Sequence, residues 1–330
     1  MDLLTFAEAA AKAGVSEATI RRRVRDGALP EVKFGNRPRV RLPDLQRVFP
    51  GTPGLGLNLT PQECRVIGFA NQKGGVGKSS CASNLAAILA EDCPVLAIDC
   101  DPQGNLTQAF GVNPDVLKMT TYNVLVQRVP IDEAILKPIP QLENLHLIGA
   151  NLELAAADPQ LTGAVQRESR LLKAIEPVKS RFPFIIIDCP PALSILTLNA
   201  LSASTEIIIP VEVGVFSLRG VSKLMETIRE IREITPLLER VRPLANKSDN
   251  TNLAKDTRAE LEAAFGTELF YTGIRQRNPI REAQAAGLPV SLYRPRDDGT
   301  LDFRALADEI RGAVPHGENV AKALSKKETS

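Results

Sequence analysis

A chain of 330 residues has room for about two domains and can bury a full core without disulfides or metal. Hydrophobic residues at 44% and charged residues at 24% fit a globular protein and exclude collagen-like, mucin-like and disordered classes. The net charge of +1 hides an asymmetry: residues 1–50 hold ten Lys or Arg against six Asp or Glu, and the rest carries a small acidic excess. Cys64, Cys81, Cys93, Cys100 and Cys189 include no C-x-x-C pair, which predicts reduced core thiols rather than a disulfide framework or zinc site. With only His146 and His316, a His-based metal site or triad is disfavoured. The start lacks a basic-then-apolar leader, and the uncharged stretch Cys189 to Thr205 is broken by Ser, Thr, Asn and Pro. A cytoplasmic chain with no membrane segment is expected.

Thr5 followed by Glu8 has capping-box spacing and predicts a short helix through Lys12, broken at Gly14. Ser16 caps a second helix to about Asp26, which sets Arg21 and Arg25 one turn apart with Arg22 beside them, and turns Ile20 and Val24 inward. Glu31 to Phe34, a Gly35-Asn36 turn and Arg37 to Arg41 read as a hairpin, with Arg37, Arg39 and Arg41 on one face. A last helix spans Leu42 to Phe49. This order, carried by EAAAKAGVSEATIRRRVRDGALP, resembles the MerR and excisionase type of winged helix-turn-helix. The resemblance implies DNA binding. Arginines can neutralise phosphates and contact guanine edges while the helix enters the major groove. A solvated basic face on a protein-interaction module is the alternative.

Arg65 to Asn71 is an apolar run that leads into Gln72-Lys73-Gly74-Gly75-Val76-Gly77-Lys78-Ser79-Ser80 and then a helical pattern through Ala90. Strand, glycine loop and helix in this order form a phosphate cradle. Backbone N–H groups from Gly74 to Ser80 wrap the phosphates, Lys78 reaches the β and γ oxygens, and the Ser79 hydroxyl can ligate magnesium. Two further apolar runs end in carboxylates: Val95 to Ile98 before Asp99-Cys100-Asp101, and Phe184 to Ile187 before Asp188-Cys189-Pro190-Pro191. In open α/β sheets ligands sit beyond the carboxyl ends of the strands, so the loop, Asp101 and Asp188 are expected to converge. Each aspartate taken singly could be a helix cap or turn residue.

KGGVGKSS, VLAIDCDPQGN and FIIIDCPP, in that order, resemble the ParA-type partition ATPases, within the group that includes MinD and the nitrogenase iron protein, over about residues 63 to 312. The resemblance implies an α/β P-loop NTPase with a mostly parallel sheet covered by helices on both faces, preceded here by the small winged helix-turn-helix. It implies ATP and Mg²⁺ as cofactors and a homodimer in which Lys73 reaches the partner's phosphates, as an arginine finger does. Asp101 would position or activate the attacking water, Asp188 would hold magnesium through a water, and Asp99 would orient the same loop.

Glu206 to Val211 and Val241 to Ala245 read as further buried strands, with helices over Ser217 to Thr235 and Asn252 to Phe265. Asn246-Lys247-Ser248-Asp249 matches the N-K-x-D pattern by which many GTPases read guanine, so GTP stays an alternative to ATP, and Asn246 is a base-contact candidate in either case. Toward the end, GIRQRNPIREA resembles the segment where several relatives hold DNA without sequence preference, making Arg277 and Arg281 candidates and Arg275 a weaker one, against a reading as surface salt bridges. A helix from Phe303 to Val314 precedes a polar tail unlike a membrane-anchoring helix.

The expected division is a winged helix-turn-helix domain at 1–50, a Gly- and Pro-rich uncharged linker at 51–62, the ATPase domain at 63–312 and the tail at 313–330. The expected function is a DNA-partition ATPase, weak alone and stimulated by a ParB-type centromere-binding partner. It would be nucleoid-associated, would bind bulk DNA as an ATP dimer and would repress its own operon. A nucleotide-controlled transcription regulator that moves no cargo is the alternative. An iron-sulfur relative would need paired cysteines at a dimer face, and the cysteines here sit in or beside the nucleotide motifs and the first helix.

Overall fold

The computed structural model describes residues 3–13, 16–25, 29–34, 37–41, 44–45, 48, 64–213, 226, 229–230, 233, 237–249 and 251–312. The Gly14 break, the Gly35-Asn36 turn, most of the helices expected at Leu42–Phe49 and Ser217–Thr235, the linker and the tail lie outside them. The chain forms two compact units, Met1–Gln62 and Glu63–Ser330.

In the first unit, β1 (Leu3–Leu4) is followed by α1 (Phe6–Ala13), α2 (Glu17–Arg25), β2 (Glu31–Phe34) and β3 (Arg37–Arg41), and the strands form an antiparallel sheet of order β1-β3-β2. The capping box at α1 is reciprocal: Glu8 N donates to Thr5 Oγ1 at 3.1 Å and Thr5 N donates to Glu8 Oε2 at 2.7 Å. Thr19 N donates to Ser16 Oγ at 3.2 Å, the expected cap of α2. Ile20, Leu29, Val40 and Leu45 are fully buried with Leu4, Phe6, Ala9 and Ala10 against them. Strand β1 was not expected; two leucines beside a capping threonine carry no alternation from which to read a strand.

The second unit is built on a six-stranded, all-parallel sheet of order β6-β5-β7-β4-β8-β9. Its strands are β4 (Arg65–Phe69), β5 (Val95–Asp99), β6 (Leu145–Ile148), β7 (Phe184–Asp188), β8 (Glu206–Glu212) and β9 (Arg240–Asn246). Because side chains alternate, each apolar run feeds both faces. Val66, Leu96, Ile98, Ile185, Ile187 and Ile207 enter one core, and Ile67, Phe69, Val95, Ala97, Ile186 and Ile208 enter the other. The helix Ile195–Ala203 covers the first face; helices Lys78–Ala90 and Asp298–Ile310 cover the second and pack on each other.

The last helix departs from the expected Phe303–Val314. It begins at Asp298, where the Asp297 carboxylate accepts from Gly299 N at 2.7 Å, and ends at Ile310. Asp298-Gly299-Thr300 has the composition of a turn, but the Asp297 cap and the burial of Phe303, Leu306, Ala307 and Ile310 carry the helix through it. Among the described residues no helix is long and apolar enough to cross a membrane.

Candidate functional site

The glycine loop follows β4 at the carboxyl edge of the sheet. Asn71 fixes its entry: Nδ2 donates to Pro210 O at 2.8 Å and Oδ1 accepts from Lys73 N at 2.9 Å. Gly75 and Gly77 hold φ of 74° and 91°, left-handed values that favour glycine, and a Cβ at Gly77 would run into the Asn246 amide. Asn246 Nδ2 donates to Val76 O at 2.7 Å and Lys247 Nζ to Gly75 O at 2.6 Å, so the end of β9 clamps the loop. Among the described residues no side chain caps the helix Lys78–Ala90, which leaves its first-turn N–H groups for an anion. The loop opens on a cavity of about 650 Å³ lined by Gly74, Gly75, Gly77, Lys78, Ser79, Ser80, Asp101, Asn246 and Lys247 among others, large enough for a nucleotide.

Two buried carboxylates lie under this loop because β5 and β7 pair in register at Asp99 and Asp188. Asp99 is engaged on both oxygens: Oδ1 accepts from Asp101 N at 3.1 Å, and Oδ2 accepts from Thr107 N at 2.8 Å and Thr107 Oγ1 at 2.7 Å. Burial outweighs these bonds and pushes its carboxyl up to about 6. Among the described residues neither oxygen of the fully buried Asp188 has a hydrogen-bond partner of good geometry, although the Ser79 hydroxyl lies close to it. Burial first and the Asp99 charge second push the Asp188 carboxyl up, while the nearby Ser79 hydroxyl and Lys78 charge pull it back. An orphaned carboxylate beside a hydroxyl is a hard-oxygen donor set. It fits a magnesium ion, which is held by one or two protein oxygens and keeps several waters. Asp101 lines the cavity, and its Oδ1 accepts from Gln103 N at 3.0 Å.

Of the expected site residues, Gly74, Gly75, Gly77 to Ser80, Asp101 and Asn246 line the cavity, whereas Val76 is held by Asn246, Asp188 is buried beside Ser79 and Lys78, and Lys73 lies by Glu212. Asp249 does not line the cavity; its Oδ1 accepts from Thr251 N at 3.1 Å and Thr251 Oγ1 at 2.6 Å, which holds in place the threonine that caps the helix Asn252–Phe265. Glu212 escaped the sequence reading, as did the hold of Lys247 on the glycine loop, which the N-K-x-D pattern does not express. Glu212 Oε1 lies 3.3 Å from Lys247 Nζ and its Oε2 lies 3.8 Å from Lys73 Nζ. A glutamate closing an apolar strand at the sheet's carboxyl edge was the signal available for it.

The arginines expected on a bulk-DNA face differ in how far they are engaged. Arg277 and Arg281 both line the nucleotide cavity, and Arg277 Nη2 is bound to Asp298 Oδ2 at 2.7 Å. Arg275 is taken up by Asp302 and Asp298. Arg275 and Arg277 thus pair with the acidic start of the neighbouring helix while their side chains stay 41% and 38% exposed, as in the salt-bridge reading. Arg281 stays exposed with no partner among the described residues.

In the first unit, Arg21 is bound to Glu17 and lies over the Phe6 ring, whereas Arg25 is exposed. Arg39 faces the capping Glu8 at 3.6 Å, and its Nε is buried, so part of its charge is spent within the unit. The side chains of Arg22 and Arg37 lie outside the described ones.

A parallel sheet with a glycine loop and carboxylates at its carboxyl edge defines a P-loop nucleotide-binding protein. Comparison with known proteins narrows this. The AAA domain family matches residues 64–239 and the helix-turn-helix domain family matches residues 3–49. Over 249 residues the chain is 36% identical to the sporulation initiation inhibitor protein Soj of Bacillus subtilis, covering 74% of this chain and 98% of Soj. It is 34% identical over 252 residues to the chromosome partitioning protein ParA of Caulobacter vibrioides, covering 74% and 93% of the two chains. Among solved structures it is similar to the cobyrinic acid a,c-diamide synthase of Mycobacterium smegmatis with bound ADP and magnesium, at a TM-score of 0.65 and 30% identity over 74% of this chain and 93% of that one. The chain belongs to the ParA and Soj family of partition ATPases, with a helix-turn-helix domain at its N-terminus.

Proposed function

We propose that the chain is an ATP-driven DNA-partition ATPase that closes into a homodimer around ATP and magnesium. The observation that carries this reading is that Lys78, Ser79 and Asp101 line one cavity, with the buried Asp188 carboxylate beside Ser79 and Lys78. The solved relative bound to ADP and magnesium supports the same ligands here. ATP is favoured over GTP because Asp249, the fourth residue of the N-K-x-D pattern, does not line the cavity.

Phosphoryl transfer to water passes through a loose transition state, so the protein acts by positioning and by cations around the γ-phosphate. Lys78 and the loop N–H groups hold the β and γ oxygens in the same subunit. Lys73 of a second copy supplies the cation across the dimer. Asp101 orients the attacking water, and Asp99 holds Asp101 through the bond to its backbone N–H. Ser79 directly, and Asp188 through a water, would hold magnesium, which would supply charge neutralisation to the phosphates.

ATP would then favour the closed dimer and hydrolysis would release it, a γ-phosphate switch. The dimer binds bulk DNA, the domain at 1–50 reads a specific site and represses the chain's own operon, and residues 51–62 join the two. A ParB-type protein accelerates a weak basal hydrolysis. The test is subunit mass in solution and phosphate release with Mg-ATP, Mg-ADP and Mg-GTP. Dimers and turnover with ATP are expected. A monomer at saturating Mg-ATP, or equal turnover of GTP, overturns the reading.

A further inference from the structure

A second recess of about 440 Å³ lies in the ATPase unit and shares no lining residue with the nucleotide cavity. One wall is the π-helix Asn123–Gln127 with the turn through Arg128 to Asp132; the other runs from Val165 to Pro177. Three cations line it, Arg128, Arg170 and Lys173, against one carboxylate, Asp132, which is already bound to Arg181. Among the described residues no carboxylate pairs with any of the three. Arg170 Nη1 donates to Leu125 O at 3.0 Å, while its Nε is shielded from solvent and has no acceptor. Lys173 reaches only the neutral Gln166 side chain. Burial first, and the Arg128 charge second, hold the Arg170 guanidinium below its ordinary range, so the two arginines face one another closely enough to repel.

The backbone marks the same place. Of the three non-glycine residues with positive φ among the described residues, Lys247 clamps the glycine loop, and the other two, Arg128 at 57° and Gln166 at 55°, stand on the two walls of this recess. Such conformations cost energy and gather at functional sites, as do π-helical turns. Val165 at its edge is 83% exposed. Like charges, an unpartnered guanidinium N–H and strained backbone are all unfavourable to the protein alone. An anion would offset them together.

We propose that this recess binds a small organic anion bearing carboxylate or phosphate groups, its acidic oxygens taken by Arg128, Arg170 and Lys173 and its apolar part by Leu125, Ile131 and Val165. Guanidinium forks match both oxyanions bidentately, and the volume suits a small ligand. The assignment does not depend on the nucleotide chemistry.

The test is calorimetric titration of the full chain with glutarate and with glycerol 3-phosphate, both in saturating Mg-ADP so that the glycine loop is filled. Saturable binding of glutarate alone identifies a carboxylate ligand, and of glycerol 3-phosphate alone a phosphate ester. In either case Arg170→Met and Arg128→Ala should weaken it about tenfold or more, the loss typical of a charge-assisted hydrogen bond. Arg128 is exposed, so its variant keeps the test open if Arg170→Met fails to fold. Absence of saturable binding by both probes, or binding that Arg128→Ala leaves unchanged, overturns the proposal.

Discussion

Lys73 Nζ lies 3.8 Å from Glu212 Oε2 of its own chain. The same carboxylate lies 3.3 Å from Lys247, which in turn donates to Gly75 O. Glu212 is thus shared by two lysines at the mouth of the glycine loop. A lysine that acts across a dimer has to leave this carboxylate first. The Lys73 side chain is 38% exposed, so the pair is worth at most about 1 kcal/mol, enough to bias the lysine without trapping it.

Glu212→Gln removes that hold and keeps a hydrogen-bond acceptor for Lys247. ATP turnover per subunit, or the dimer fraction at fixed concentration, should rise by up to about fivefold, the equivalent of 1 kcal/mol. Lys73→Ala in the same assay should lose turnover while retaining nucleotide affinity. If Glu212→Gln turns over at the parental rate, the contact is incidental.

Asp188→Asn separates folding from ligand binding. In the nucleotide-free protein the carboxylate is buried, unpartnered and close to Asp99. Removing its charge should raise the thermal midpoint, by an amount equivalent to about 1–3 kcal/mol. The added stabilisation by magnesium in the presence of ATP should disappear in the same variant. Thermal melts with and without magnesium check both halves, and a lowered midpoint without ligand would mean that Asp188 has a partner in the folded chain.

The glycine loop and its aspartates were legible because each follows a short apolar run, and a parallel sheet brings the carboxyl ends of such runs together. Strand β6 was not legible. Leu145-His146-Leu147-Ile148 has four residues and no motif after it, and its place comes from pairing with β5. The Lys73–Glu212 and Asn246–Val76 contacts join segments more than a hundred residues apart, which spacing along a chain cannot express. The ion pairs of Arg275 and Arg277 were not legible for a related reason: an arginine-rich segment does not show which carboxylates of a later helix it meets. The recess between Arg128 and Arg170 belongs to the same class, a juxtaposition of distant positions with no local signature.

Nucleotide selectivity tests the clamp at the end of β9. Asp249→Ala should leave ATP affinity and the preference over GTP unchanged, since this carboxylate is spent on Thr251, the cap of the helix Asn252–Phe265. Asn246→Ala removes the bond to Val76 O and should weaken ATP binding about tenfold or more, because the loop loses its tether and the carbonyl loses a buried donor. Titration with labelled ATP and GTP reads both variants. A gain of GTP affinity in neither, with loss of ATP affinity in Asp249→Ala, would place Asp249 in the site after all.

DNA binding should divide between the units according to which arginines are free. Arg25 is exposed, whereas Arg21 is held by Glu17 and the Phe6 ring. Arg25→Ala should therefore weaken binding of the isolated upstream fragment and lower its salt slope by about 1, the signature of one lost phosphate contact. Arg21→Ala should cost less affinity and instead loosen α2 on α1. In the ATPase unit, Arg281→Ala should weaken nucleotide-dependent binding of random DNA, and Arg277→Ala should change it little because Asp298 already holds that guanidinium. Fluorescence anisotropy on upstream and random fragments, with and without ATP and across a salt series, separates the four variants. Equal losses from Arg277→Ala and Arg281→Ala would mean that DNA or nucleotide pulls Arg277 away from Asp298.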